Sequence, residues 1–224
     1  MEDGKKMTNI NILYEDNHLL VVEKPINIPV QADSSKDEDL LNILKQYIKE
    51  KYNKPKEVYL GIVHRLDRPV GGIMVFARTS KSASRLSEQV RTNQFNKIYN
   101  AVCLNKINES GRLEDYLLKD TKTNIVKVDK NGKKAILNYK RLDYKNNMSL
   151  VEIKLETGRS HQIRVQLSHN GNPLYGDQKY NKTARVGEQV ALFAKKLEFY
   201  HPTKKELMSF ELPLPDRVPF NYFK

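Results

Sequence analysis

The chain has 224 residues, with 39 Lys and Arg against 27 Asp and Glu, which gives a formal net charge of +12. Such a positive excess favours association with polyanions, nucleic acid above all, although part of it can be a solubilising surface. The single cysteine, Cys103, excludes an internal disulfide and a multi-thiolate metal site, and it suits a reducing cytosol.

The first half of the chain is predicted to alternate short strands with two helices. A polar tail over residues 1–9 precedes two strands in INILYEDNHLLVVEKP, which turn at Asp16 and Asn17. The stretch DEDLLNILKQYIKEKY has helical apolar spacing, and TSKSASRLSEQVRTN is predicted as a second helix with Thr79 or Ser80 as its N-cap. Between the helices, EVYLGIVHRLD and GIMVFART are predicted as two strands joined by a turn, and FNKIYNAVCL follows as another strand.

The second half is predicted to be rich in strands. Residues 105–132 are polar and irregular in pattern, which indicates a surface insertion carrying short strands. KKAILNYKRLDY and MSLVEIKLE are predicted as paired strands, GRSHQIRVQLSHNGNP as a short helix capped by Ser160 and stopped at Gly171, and QVALFAKKLEFYHP and KELMSFELP as final strands. The sequence therefore predicts an α+β fold over residues 10–224, as one domain with a mixed, mostly antiparallel sheet and flanking helices.

Several classes of protein lack their sequence signals in this chain. The five histidines are scattered and no HExxH or CxxC motif occurs, so we expect no metal centre. No apolar stretch reaches about 18 residues and the N-terminus lacks a signal-peptide core, so we expect a cytoplasmic protein that does not enter a membrane. The absence of a long unpaired apolar face favours a monomer.

Asp67 stands between Arg65 and Arg68 in VHRLDRPVGGIMVFART, directly before Pro69 and a pair of glycines. Taken alone, it is most simply a turn residue, because an aspartate side chain can hydrogen-bond its own backbone. Two features favour a reactive carboxylate instead. A turn between two apolar strands presents it from a rigid scaffold, and a neighbouring guanidinium keeps a carboxylate ionised and able to act as nucleophile or base.

Two further segments carry candidate site residues. In TGRSHQIRVQL, residues 157–167, Arg159 and Arg164 are polar groups near a helix start, but solvated arginines on an ordinary amphipathic helix would give the same pattern. Tyr99 shares a strand face with Lys97; a strand tyrosine usually packs in the core, yet it can also act as a stacking platform. Both segments are open to a structural and a functional interpretation.

Four blocks in a fixed order carry a resemblance to a known family. They are KP at 24–25, HRLD at 64–67 with a following Gly-Gly, GRSHQIRVQL at 158–167 with GNPLYGD after it, and ALFAKKLEFYHP near the end. From about Ile12 to Pro202 the sequence resembles the RluA family of RNA pseudouridine synthases, in a short form without an N-terminal RNA-binding domain. The resemblance implies a pseudouridine synthase fold and a reaction without metal or cofactor, in which the uracil N1–C1′ bond breaks and the freed base is rejoined through C5.

The resemblance also implies roles for the residues that match its motifs. Asp67 would be the catalytic carboxylate, either attacking C1′ of the ribose or starting elimination from the sugar, and Arg164 would pair with it and orient it. Tyr99 would stack on the uracil and take part in removing the C5 proton, and Leu192 would pack beside the base as an apolar wall. Arg65 resembles the family arginine that fills the place of a flipped base.

RNA, ribosomal or transfer, is the partner that the resemblance implies. Arg68, Lys97 and Arg159 are candidate phosphate contacts, although each can also be a solvated charge. Target selection would rest on the basic surface of the catalytic domain and on residues 105–132. Two alternatives are a silent RNA-binding module of the same fold, against which the intact set of Asp67, Tyr99 and Arg164 argues, and a nuclease, which would need a divalent metal.

Overall fold

The computed structural model describes residues 10–33 and 35–224, so the predicted polar tail over residues 1–9 lies outside the described residues. The chain divides into two compact units, Met1–Phe95 with Phe199–Phe210, and Asn96–Glu198 with Glu211–Lys224. Each unit is described by itself below. The single domain predicted for residues 10–224 stays a prediction.

The described residues form an α+β fold of antiparallel strands and three α-helices, which confirms the predicted fold class. The strands are β1 Asn11–Glu15, β2 Leu19–Lys24, β3 Gly61–Ile62, β4 Gly71–Ala77, β5 Asn96–Leu104, β6 Ser110–Asp120, β7 Ile125–Val128, β8 Lys133–Lys145, β9 Met148–Leu155, β10 Leu192–Tyr200 and β11 Leu207–Glu211. The helices are α1 Leu40–Lys51, α2 Ser80–Arg91 and α3 Gln162–His169, and a 3₁₀ helix spans Phe220–Phe223.

A small antiparallel sheet in the first unit leads into the HRLD segment. Strand β2 pairs with β1 and with β4, and β3 pairs with the far end of β4. The strand predicted over EVYLGIVHRLD is much shorter than expected, because β3 ends at Ile62. Beyond it, Nε2 of the buried His64 accepts the backbone N–H of Val75 at 3.1 Å, which takes a donor that a longer β3 would use.

Both helices of the first unit begin at side-chain caps. Asp39 accepts the backbone N–H of Asn42 at the start of α1, and Thr79 accepts that of Ser82 at the start of α2, which confirms Thr79 of the two predicted caps. The apolar stripe of α1, including Leu44, is buried. Strand β4 is buried along its whole length and forms the centre of this unit.

The second unit contains a six-stranded antiparallel sheet in the order β10-β5-β9-β8-β6-β7. Helix α3 packs against the end of the sheet that holds β6, β7 and β8. The buried cluster there joins Val165 of α3 to Leu117, Val126 and Ala135 of the three strands. The helix is thereby fixed against the sheet by apolar contact, since a strand face and a helix stripe bury each other.

The prediction of an irregular insertion over residues 105–132 is wrong. The segment forms the eleven-residue strand β6 and the four-residue strand β7. On the exposed face of β6, Arg112 and Glu114 form an ion pair, and Glu114 also pairs with Lys134 across the sheet at 2.6 Å. Cross-strand charge pairs support a strand whose exposed face is largely polar, so the polar composition concealed the regular structure.

The N-cap of helix α3 lies one residue later than predicted. His161 occupies the N-cap position with φ 51°, and no side chain caps the helix, so the cap predicted at Ser160 is wrong. The predicted stop is confirmed, because Gly171 has φ +85° directly after the C-cap residue Asn170. A left-handed histidine at the start of α3 is an uncommon backbone arrangement, and its side chain has a specific partner described below.

Candidate active site

Asp67 lies at the start of a tight turn that leads into β4. The turn is closed by a 2.9 Å hydrogen bond from the backbone N–H of Val70 to the carbonyl of Asp67. Leu66 before it and Val70 after it are buried, whereas Asp67 itself is half-buried. The two buried neighbours anchor the turn in the core of the first unit, and the carboxylate is presented from a fixed backbone.

Lys24 fastens this turn from the inside of the first unit. Its ammonium donates to three backbone carbonyls, those of Pro25 at 2.9 Å, Arg68 at 3.0 Å and Val70 at 2.7 Å. The side chain is only 1% exposed, and burial lowers the pKa of Lys24 to about 7. The negative charge of Asp67 acts in the opposite direction and raises this pKa. The three bonds use every N–H of the ammonium. Through them the end of β2 is connected to the turn.

The two arginines beside Asp67 are exposed, and both contact the segment that follows β2. Arg65 donates from Nη2 to Oε1 of Gln31 at 2.7 Å. Arg68 donates from Nε to the carbonyl of Asn27 at 3.2 Å and from Nη2 to the carboxylate of Asp37. A carboxylate in contact with Arg68 shows that the guanidinium can reach an anion beside the turn.

Arg164 lies in α3 and is buried in the second unit. It donates from Nε to Oδ2 of Asp177 at 2.8 Å and from Nη2 to Oδ1 at 2.7 Å, a bidentate ion pair with a fully buried carboxylate. The guanidinium carbon also lies 5.1 Å from the ring centroid of Tyr180. The pair with Asp177 uses two of the five guanidinium donors and fixes the plane of the group.

Tyr99, Leu192 and Lys97 share one face of the sheet in the second unit. Tyr99 pairs with Ala194 and Leu192 with Ala101 in the β5–β10 ladder, so their side chains point to the same side. Tyr99 and Leu192 are buried, and Lys97 is half-buried, with its pKa lowered by desolvation. The arrangement places an aromatic ring, an aliphatic side chain and a cation on neighbouring positions.

The turn before α3 is organised by the buried carboxamide of Gln162. Its Oε1 accepts from the hydroxyl of Thr157 at 2.8 Å and from the backbone N–H of Arg159 at 3.0 Å, and its Nε2 donates to the carbonyl of Ile136 at 3.0 Å. The exposed side chain of Arg159 donates from Nε to the carbonyl of Lys134 at 2.9 Å. The guanidinium of Arg159 therefore lies along the sheet rather than on the helix surface.

Within each unit, the structure brings the candidate residues together. Asp67, Arg65 and Arg68 share one turn in the first unit, and the other candidates lie on the sheet face or at α3 in the second. The roles of these residues stay predictions. Sequence reasoning missed what Lys24 and Asp177 contact, although both lie in the blocks KP and GNPLYGD.

Two other classes of site are absent from residues 10–33 and 35–224. No group of three or more His, Cys, Asp or Glu residues in these ranges is arranged to hold a metal ion. None of the helices there combines the length and the apolar composition that crossing a bilayer requires.

Comparison with known proteins gives consistent matches. The model of the RNA pseudouridylate synthase family matches residues 18–169. Ribosomal large subunit pseudouridine synthase D of Pseudomonas aeruginosa is 34% identical over 92% of this chain and 69% of that protein, and the Yersinia pestis protein of the same name is 33% identical over 92% and 68%. The structure of human RNA pseudouridylate synthase domain containing 4 matches with a TM-score of 0.77 and 25% identity, over 92% of this chain and 89% of that one. Human RNA pseudouridylate synthase domain containing 1, at 22% identity and a TM-score of 0.74, shares the fold over 95% of this chain and 86% of that one.

Proposed function

Since the chain belongs to the RluA family of RNA pseudouridine synthases, we propose that Asp67 is the carboxylate with which it isomerises uridine in RNA. The isomerisation breaks the N1–C1′ bond and forms a C5–C1′ bond, and it needs one group that acts on the sugar. Attack on C1′ and elimination from the sugar both start from this carboxylate. The observation that carries the proposal is the turn from Asp67 to Val70, which two hydrogen bonds from Lys24, to the carbonyls of Arg68 and Val70, hold in place.

The residues of the second unit are proposed to hold the base and to orient the carboxylate. Arg164, with its plane set by Asp177, would pair with Asp67. Tyr99 would stack on the uracil and take part in removal of the C5 proton, with Leu192 as the apolar wall beside it. The shared strand face of Tyr99 and Leu192 supports a common role.

Binding of the RNA is proposed to use the cations around these groups. Arg65 would occupy the place of the flipped uridine in the stack, which offsets part of an unstacking cost of a few kcal/mol. Arg68, Lys97 and Arg159 would contact phosphates, because each is a cation near a proposed catalytic group. Arg68 already contacts a carboxylate, and a phosphate offers the same kind of acceptor.

We further propose that the RNA substrate is ribosomal and that it docks on residues 119–133, called here the basic edge. The support for ribosomal RNA is the name of the relatives, ribosomal large subunit pseudouridine synthase D. The basic edge carries four exposed lysines that form no ion pair with another described residue, and they are Lys119, Lys122, Lys130 and Lys133. The monomeric state and the cytoplasmic location are part of the same proposal.

Release of tritium from C5-tritiated transcripts tests the chemistry, because forming pseudouridine must expel the C5 hydrogen. We would assay unmodified large-subunit ribosomal RNA and transfer RNA in chelator, with wild type, Asp67→Asn and the control Asp216→Asn, whose side chain is 86% exposed. The expected result is release from ribosomal RNA by wild type and control, and none by Asp67→Asn despite retained RNA binding.

The other outcomes of this assay identify the alternatives. Release from transfer RNA alone would reject the proposed substrate and retain the proposed chemistry. Release by Asp67→Asn at a rate near that of wild type would reject the carboxylate. No release by any variant, with tight RNA binding, would favour a silent RNA-binding module.

A further inference from the structure

Tyr180 contacts three separate parts of the second unit through one side chain. Its ring lies against the guanidinium of Arg164, with 5.1 Å between the guanidinium carbon and the ring centroid. Its hydroxyl accepts the backbone N–H of Val126 at 3.0 Å and lies 2.6 Å from Nδ1 of His161. The strand β7, the turn before α3 and the proposed catalytic arginine therefore meet at a single half-buried ring.

The contact with Val126 satisfies a backbone N–H at the open edge of the sheet. Strand β7 is the last strand of its sheet, and its other edge pairs with β6. The Tyr180 hydroxyl takes a backbone donor that would otherwise need water or another strand. Beside it, Lys179 donates from Nζ to the carbonyl of Asn124 at 3.0 Å. Residues 179 and 180 thus connect the basic edge to the chain segment whose side chains contact Arg164.

The contact with His161 fixes the turn before α3. His161 has φ 51°, a left-handed conformation that is uncommon for residues other than glycine, although histidine adopts it more often than most. Because the Tyr180 hydroxyl accepts the Val126 N–H, it can donate its own hydrogen to Nδ1 of His161. Arg164 lies one turn of helix after His161, so the start of α3 and the guanidinium depend on the same ring.

Asp177 alone does not explain this arrangement. Its carboxylate fixes the plane of the Arg164 guanidinium through two hydrogen bonds. The guanidinium can still tilt relative to the carboxylate about an axis in their common plane. An aromatic ring against the guanidinium face removes that freedom. We propose that Tyr180 is a positioning residue for Arg164, and that its hydroxyl ties the orientation of the guanidinium to β7 and to the turn at His161. This inference rests on the proposed role of Arg164 in catalysis.

The test compares full-length wild type, Tyr180→Phe, Arg164→Lys and the double variant, with Tyr144→Phe as the matched control. Tyr144→Phe also deletes one tyrosine hydroxyl from the second unit, one that contacts Asn147 at 3.1 Å. The readouts are kcat and KM for tritium release and the Nε–Hε resonance of Arg164, assigned by its loss in Arg164→Lys. Tyr180→Phe keeps the ring and removes the hydroxyl, with its contacts to Val126 and His161, so the fold should survive.

We expect Tyr180→Phe to lower kcat by about tenfold, with KM within about twofold, and to move the Arg164 resonance. In the Arg164→Lys background the same substitution should have no further effect on kcat, since the group that it positions is gone. Tyr144→Phe should match wild type in both readouts.

Three outcomes would overturn the inference, and they can be told apart. If Arg164→Lys lowers kcat but Tyr180→Phe changes neither kcat nor the resonance, or if the two effects multiply in the double variant, Tyr180 does not act through Arg164. If Arg164→Lys retains the wild-type kcat, the proposed catalytic role of Arg164 fails, and the inference fails with it.

Discussion

The ammonium of Lys24 lies 2.7 Å from the carbonyl oxygen of Val70, which is 46 residues further along the chain. The contact joins the end of β2 to the end of the turn that begins at Asp67. A lysine that is 1% exposed and donates to three backbone carbonyls is uncommon, because burying a cation is costly. The cost is offset in part by the three hydrogen bonds and by the charge of Asp67, and the contact holds the backbone that presents the proposed catalytic group.

The first prediction concerns the pH dependence of this contact. The pKa of Lys24 is about 7 in the folded chain and near 10.5 in the unfolded chain, so unfolding takes up a proton between these pH values. The free energy of unfolding of wild type, relative to Lys24→Met, should therefore rise from pH 7 to pH 10, by at most about 1.4 kcal/mol per pH unit. Denaturant unfolding at four pH values measures the difference. A constant difference would mean that Lys24 keeps its proton, and Lys130→Met, at an exposed position, serves as the control.

The second prediction concerns the buried ion pair of Arg164. Asp177→Asn keeps the shape of the side chain but removes the buried negative charge of the bidentate pair with Arg164, so unfolding should become easier by about 3 to 5 kcal/mol. The control is Asp216→Asn, which removes an exposed partner of Lys224 and should change stability by less than about 1 kcal/mol. Urea unfolding of both variants measures the two costs. Equal costs would mean that the Asp177 pair contributes no more than a surface contact.

The order of the elements was predictable from the sequence, because apolar periodicity and turn residues are local signals. The strand β6 was not, since its exposed face is held by charges whose partners lie on another strand, as Glu114 and Lys134 show. The cap of α3 failed for a related reason. Ser160 has the right chemistry for a cap, but the N-cap position is taken by His161, whose side chain contacts the hydroxyl of Tyr180.

The candidate site was predictable as a set of residues but not as a set of contacts. Arg164 stood out as a polar group near a helix start, and the resemblance gave it a role. Its ion-pair partner Asp177 lies 13 residues further along the chain, beyond the end of α3, and no local pattern predicts such a contact. Lys24 was visible as part of a motif, yet two of its three acceptors are carbonyls 44 and 46 residues away, which carry no signature in the sequence.

The third prediction concerns RNA docking on the basic edge. Changing its four exposed lysines to Gln should weaken RNA binding and reduce the slope of log K against log salt, by roughly 0.7 for each phosphate that the variant no longer neutralises. The value of kcat at saturating RNA should stay within about twofold, because none of the four is proposed to touch the reacting uridine. The salt dependence of binding, measured by titration, separates the two effects.

The matched control for the basic edge changes the same charge elsewhere. Lys54, Lys56, Lys81 and Lys204 are exposed residues of the first unit, and their replacement by Gln lowers the net charge equally. If both sets reduce the salt slope alike, binding follows the net charge of the protein and the basic edge is not a docking surface.

The last prediction separates the two roles proposed for Tyr99. Its ring is buried on the strand face that it shares with Leu192, so Tyr99→Phe should keep the stacking surface and leave KM within about twofold. The hydroxyl would no longer be present to assist removal of the C5 proton, and single-turnover tritium release should slow by about 10²-fold. Tyr99→Leu removes the ring as well, and it should weaken binding of the base by about 1 to 3 kcal/mol in addition. If Tyr99→Phe releases tritium at the wild-type rate, the hydroxyl takes no part in the proton step, and only the stacking role is left for this residue.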